Sequence, residues 1–89
     1  MWFCFNDAFI SVVQDRNDAK RLCVRARNRA HLEQLFPSAA IIDTPDADYV
    51  CRTFITKSDF CDFLVTRIQS IDYDNFKSSV QDVSLHDLY

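Results

Sequence analysis

Residues 21–27 read Arg21-Leu22-Cys23-Val24-Arg25-Ala26-Arg27, and their alternation decides the fold class. In an extended chain Leu22, Val24 and Ala26 fall on one side, and Arg21, Cys23, Arg25 and Arg27 fall on the other. That is the pattern of a half-buried strand, with one face on a core and one towards water.

Upstream, Trp2 to Phe5 and Ala8 to Gln14 are rich in aromatic and β-branched residues, and Asn6-Asp7 between them supplies a two-residue hairpin turn. Asp15-Arg16-Asn17-Asp18 is a polar connection. Downstream, Asn28 is placed to cap a short helix over 29–36, with Leu32, Leu35 and Phe36 as its apolar stripe and Pro37 as its stop. Residues 39–43 read as a short buried strand, Thr44-Pro45-Asp46 as a turn, and 49–56 as another strand. Ser58 is the expected cap of the most strongly periodic helix, where Phe60, Phe63, Leu64, Ile68 and Ile71 recur at helical spacing and should pack on the sheet. Asp72-Tyr73-Asp74 breaks that helix. A last helix runs from Asn75 towards Val83, and a final turn from Ser84 carries Leu85 and Leu88.

The order β-β-β-α-β-β-α-α points to an α+β two-layer sandwich: an antiparallel sheet of about five strands with helices on one face. At 89 residues the chain is read as one domain spanning 1–89. A domain of this size buries roughly 60–65% of its unfolded surface, so its core is modest. Eight Phe, three Tyr and one Trp give that core large rings. If the helices cover only one face, the residues lining the other bear on function.

Composition excludes several chemistries. The chain has no glycine. The phosphate-cradling Walker loop, the dinucleotide fingerprint and the nucleophile elbow all need it. Any left-handed turn position would have to be filled by Asn or Asp. Cys4, Cys23, Cys51 and Cys61 lie far apart, and with two histidines in the chain no zinc spacing emerges, so the thiols are expected to be buried structural groups. Met1 leads directly into Trp2-Phe3-Cys4-Phe5 and Asn6-Asp7, without the layout of a secretory leader, and no apolar run reaches membrane-spanning length. The expectation is a cytoplasmic chain with reduced thiols, no cofactor and no membrane partner.

The net charge is −3, but it is unevenly laid out. Basic residues crowd positions 16–29 and aspartates crowd 59–89. The two halves either pair with each other or present separate patches to partners. His31 and His86 are expected in surface or capping roles, His86-Asp87 being neighbours in sequence but not thereby a dyad. Asp43, Asp46 and Asp48 read as turn and cap residues. Asp72, Asp74, Asp82 and Asp87 read as a solvated helical face, with phosphate mimicry as the functional alternative. Arg25, Arg27, Arg29 and Arg52 form the most informative set. Arginines interleaved with aromatics on an open sheet face suit single-stranded nucleic acid, whereas the structural alternative pairs them with the abundant Asp.

One further pattern spans almost the whole chain. It comprises Met1-Trp2, Asn6-Asp7-Ala8-Phe9, Asp15-Arg16, Val24-Arg25-Ala26-Arg27, Leu32-Glu33 with Phe36-Pro37, Thr44-Pro45 with Ala47-Asp48-Tyr49, Ile71-Asp72-Tyr73 with Asn75-Phe76-Lys77, and His86-Asp87 with Tyr89. In these stretches the chain resembles a small family of bacterial and phage-type cytosolic proteins with no established activity. Members of that family continue for a further helical turn or more, so the resemblance implies a closing helix cut short at Tyr89. It implies a compact cytosolic domain and no reaction.

No catalytic constellation stands out, so the chain is not expected to be an enzyme. The leading expectation is a non-enzymatic protein-binding module, acting as an inhibitor or regulator of a host nucleic-acid-handling or defence complex in the manner of anti-CRISPR proteins. Partner-binding residues are then Arg25, Arg27, Arg29, Arg52, Asp72 and Asp74. The alternative is RNA or single-stranded DNA binding through the arginine face. Either works as a monomer or a homodimer.

Overall fold

The computed structural model describes residues 1–89 throughout. Five strands form one antiparallel sheet: β1 (Trp2–Cys4), β2 (Phe9–Gln14), β3 (Arg21–Ala26), β4 (Ile42–Asp43) and β5 (Cys51–Thr56), in the order β1-β2-β3-β5-β4. Four helices complete the α+β fold: α1 (Arg29–Leu35), α2 (Lys57–Gln69), α3 (Phe76–Ser79) and α4 (Val83–Leu88). No helix is long and apolar enough to cross a membrane.

The alternation in β3 does what its pattern dictates. Leu22, Val24 and Ala26 join Ile10 and Val12 of β2 and Cys51 of β5 beneath Leu32 and Leu35 of α1 and Phe60 of α2. Burying apolar surface stabilises at roughly 25 cal/mol per Å², and the rings supply much of it. Phe3, Phe36, Phe60 and Phe63 meet at centroid distances of 4.7–6.2 Å between the sheet and α2.

Several boundaries move, each for a local reason. The Asn6-Asp7 turn is present, closed by Phe5 N–H donating to the Ala8 carbonyl at 2.9 Å. It is not a primed turn, because a primed turn needs positive φ and no residue in the chain has it. The left-handed positions foreseen for Asn and Asp therefore do not exist. Side chains shape the next connection instead: Asp15 Oδ1 accepts Asn17 N–H and Asp18 Oδ1 accepts Lys20 N–H. Asn28 caps α1 as expected, accepting Ala30 N–H. The strand foreseen over 39–43 shrinks to Ile42–Asp43, since the Ala40 carbonyl is taken by the Thr53 hydroxyl at 2.8 Å.

Thr56, not Ser58, caps α2, its hydroxyl accepting Asp59 N–H. Only the first part of α2 rests on the sheet: Phe60 is buried, while Ile68 near its end and Ile71, which falls beyond it, are 64% and 52% exposed. A helix of 13 residues spans about 20 Å, so its far end overhangs the small sheet. The helix foreseen from Asn75 towards Val83 ends at Ser79, and the final turn foreseen from Ser84 is a helix of its own, α4, capped by Asp82.

The helical layer is not confined to one face. Phe9 alternates with Ile10 and so points away from the main core; there Val80 and Leu85 pack on it, with Tyr49, Phe76 and Tyr89 alongside. The C-terminal helices thus close the Phe9 end of the second face. The Tyr89 hydroxyl, donating to the carbonyls of Phe5 and Ala8 at 3.0 Å each, ties this segment to the β1–β2 turn.

Candidate functional site on the open sheet face

The rest of the second face is partly open: Ser11 and Cys23 on it are buried, and Arg25 and Arg52 are half-buried. The strand register places Trp2 opposite Ser11, Ser11 opposite Arg25, Arg25 opposite Arg52, and Arg52 opposite Ile42. Directly paired residues project to the same face, so these side chains form a row across all five strands. Its ends are apolar and open, Trp2 being 67% and Ile42 49% exposed. Its centre is two arginines.

Three of the four arginines singled out from sequence meet here. Arg25 donates from Nη2 to the Ser11 hydroxyl at 2.8 Å and lies over the Tyr49 ring at 4.6 Å. Arg27 lies 5.1 Å from Tyr49 and 5.6 Å from Phe9, just past the end of β3. Arg52 lies on β5 beside Arg25, and none of the three has a carboxylate within ion-pair distance. The Nε atoms of Arg25 and Arg52 are buried and meet no acceptor.

The fourth behaves differently. Arg29 belongs to α1 and is neutralised by Asp43 at 2.6 Å and Glu33 at 3.3 Å. Arg21 is likewise held by Asp15 at 2.7 Å, and Arg67 by Asp7. The pairing of arginine with aspartate thus operates in the chain but bypasses Arg25, Arg27 and Arg52. Nor do the halves of the sequence neutralise one another, as no ion pair links a base of the 16–29 stretch to an acid of the 59–89 stretch.

Beside Arg25 and Arg52 the face dips into a hollow of about 300 Å³, lined by these two arginines, by Val13, Cys23 and Phe54, and by Arg16 and Asn17. Asp15 is the one acid on its lining, and Arg21 already engages it. The Asn17 N–H and the Arg21 guanidinium hold its carboxyl below the ordinary value, against the opposing effect of burial.

The aromatic rings are not free platforms. Tyr49 carries two guanidiniums and receives the Trp2 indole N–H on its hydroxyl at 3.1 Å. Phe54 carries Arg21 at 4.7 Å. They hold the arginines in place, a cation–π contact being worth about 0.5–1 kcal/mol when exposed and more when desolvated, as these on half-buried rings partly are. The open ring is Trp2.

The remaining candidates disperse. Asp72 and Asp74 are exposed in the link between α2 and α3, Asp82 is spent capping α4, and Asp87 lies within α4. They form no common helical face, because α2 ends at Gln69 before reaching them. His86 Nδ1 and Asp87 Oδ1 stand 3.9 Å apart in the open, beyond hydrogen-bond reach. His31 is not a surface residue: it is buried, and its Nδ1 accepts the Phe9 N–H at 3.2 Å.

Sequence parity could have added Ser11 and Trp2 to this face. Ile42 needed the register, and Tyr49 needed the turn that swings it over β3.

The chain was compared with protein-family models, curated proteins and solved structures, and none of the three gave a match. The functional reading therefore rests on the arginine row.

Proposed function

We propose that this is a non-enzymatic protein-binding module that seats an acidic segment of its partner across the row Trp2–Ser11–Arg25–Arg52–Ile42. The observation that carries this is the uncompensated Arg25–Arg52 pair, flanked on the row by exposed Trp2 and Ile42. Trp, Tyr and Arg are the residues that dominate protein interfaces, and opposite charge steers encounter and fixes register. We further propose a cytoplasmic setting and a role as inhibitor or regulator of a host nucleic-acid-handling or defence complex, by analogy with anti-CRISPR proteins. Asp72 and Asp74 carry no part of this reading.

A second reading has its own support. Arginines without counter-ions on an antiparallel sheet also suit single-stranded RNA or DNA. Against it stand the net charge of −3 and the rings already occupied by guanidiniums.

The test compares the wild type with Arg25→Glu and Arg52→Glu. A purified partner should form a stoichiometric complex with the wild type and with Asp74→Lys, and lose it in both glutamate variants. A complex indifferent to Arg25 and Arg52 overturns the reading. Salt-sensitive binding to a short single-stranded RNA, with no protein complex, transfers the face to the second reading.

A further inference from the structure

We propose that the hollow bordered by Arg25 and Arg52 is an oxyanion subsite that takes a phosphate monoester. The inference deepens the function proposed above, and rests on it only for the source of the phosphate.

The argument begins with a cost. Like charges directly opposite on neighbouring strands destabilise a sheet. A lysine could relieve that cost by losing its proton, but a guanidinium stays charged at any physiological pH. Nor is Arg25 free to swing away from its neighbour. Arg25 is pinned by Ser11 on one side and by the Tyr49 ring on the other, and Arg52 faces it from β5.

The donors left over point to what would relieve the cost. Both Nε–H groups are buried without an acceptor, and both side chains line the same hollow. A buried donor without a partner loses its hydration and gains nothing in return. A tetrahedral oxyanion in the hollow would neutralise both guanidiniums together and, once the side chains turn enough to uncover them, accept from the Nε–H groups.

Charge selects among oxyanions. A phosphate monoester carries about −1.5 to −2 at neutral pH, matching two guanidiniums, whereas a carboxylate leaves an excess positive charge. A phosphodiester also carries one negative charge, and its oxygens are flanked by ester groups on both sides. Arg16 on the rim adds a third cation, while the only acid on the lining, Asp15, is engaged by Arg21. A hollow of about 300 Å³ has room for the phosphate and the first atoms that bear it. That bearer is either a phosphorylated side chain of the protein partner or a small phosphate ester, and the chemistry at the arginines is shared.

The test observes the arginine Nε–H resonances of the ¹⁵N-labelled protein at low salt. The probes are inorganic phosphate, a blocked phosphoserine peptide, a blocked glutamate peptide and a short oligothymidylate. Saturable shifts of the Arg25 and Arg52 Nε–H signals are expected with the first two probes. Blocked glutamate should bind roughly tenfold more weakly or less. Both responses should vanish in Arg52→Gln and Arg25→Gln, whose backbone amide spectra report whether the fold is kept. Tighter binding of the phosphopeptide than of free phosphate assigns the ligand to a partner side chain, and equal binding assigns it to a small ester. No saturable shift at millimolar phosphate, an equal shift in the glutamine variants, or a response to the oligonucleotide alone overturns the subsite. A failed subsite leaves a protein complex free to form, and a phosphate response without any protein complex defeats only the partner reading.

Discussion

Arg25 of β3 and Arg52 of β5 face each other across the centre of the sheet, side by side and without a carboxylate between them. Six of the protein's acids could be drawn on within residues 59–89, yet none reaches this pair. A strand pairing that is unfavourable in the free protein and useful once an anion arrives sets stability against function.

That opposition gives the first expectation. Arg52→Gln should stabilise the free protein by about 0.5–1 kcal/mol, because it removes a like-charge pair from adjacent strands. The same change should abolish anion binding. Urea unfolding at low salt measures the first effect, and the gain should shrink as salt screens the repulsion. A loss of stability in the variant would mean that Arg52 is held by favourable contacts.

At high pH the expected weak points are Cys51 and Tyr89. Burial pushes the Cys51 thiol up from 9.0 and the Tyr89 hydroxyl up from 10.0. Each gives up its proton more readily in the unfolded chain. Their contribution is therefore complete below those values and is lost progressively as pH rises from them towards the higher folded ones. Tyr89→Phe should lower stability by about 1 kcal/mol near neutrality, through loss of the hydroxyl shared by the Phe5 and Ala8 carbonyls. It should also flatten part of the decline above pH 10. Thermal melts of both proteins from pH 7 to 11 check the sign.

Acid acts through Asp15. Its folded carboxyl lies below 3.8, so the stability it supplies is present above that value and drains away as pH falls through the folded one. Asp15→Asn should be less stable than the wild type at neutral pH, and the difference should narrow as the pH drops below 4. A constant difference would show that the side chain acts through shape alone.

Thiol chemistry separates the cysteines in pairs. Cys4 and Cys61 are exposed, and Cys23 and Cys51 are buried. A native titration with a chromogenic disulfide should register two fast thiols, and four once the protein is unfolded. Rapid reaction of Cys23, which lies on the floor of the hollow, would reveal that Arg25 and Arg52 swing aside more readily than their packing implies.

Much of this architecture was legible in the chain. The alternation of Arg21–Arg27 determines both the strand and which side is charged, since period two leaves no choice of face. Asn28 and Pro37 bracket α1 through hydrogen bonding and ring sterics, which are local effects. What was not legible depended on the partner strand or on the extent of the sheet. Nothing in Ile68 or Ile71 says that the sheet ends before the helix does. The His31 ring looks like a surface group until β2 presents the Phe9 N–H to it. Arg29 looked equivalent to Arg25, because only the tertiary fold brings Asp43 to one and not to the other. The row itself was half visible: parity puts Arg25 on the charged face, but the opposition of Arg25 to Arg52 is a matter of register.

The absence of positive φ anywhere in the backbone has a consequence beyond turn geometry. A chain that never enters the left-handed region can be written without glycine, and this one is. Average usage of about 7% would have given roughly six glycines at this length. Each replaced at a compatible position restricts the denatured ensemble, favouring folding by about 0.4–1 kcal/mol. The cumulative effect, on the order of 2–6 kcal/mol, is comparable to the whole net stability of many small domains. It is a reserve held in the unfolded state, against which a strained pair of cations on the sheet can be maintained.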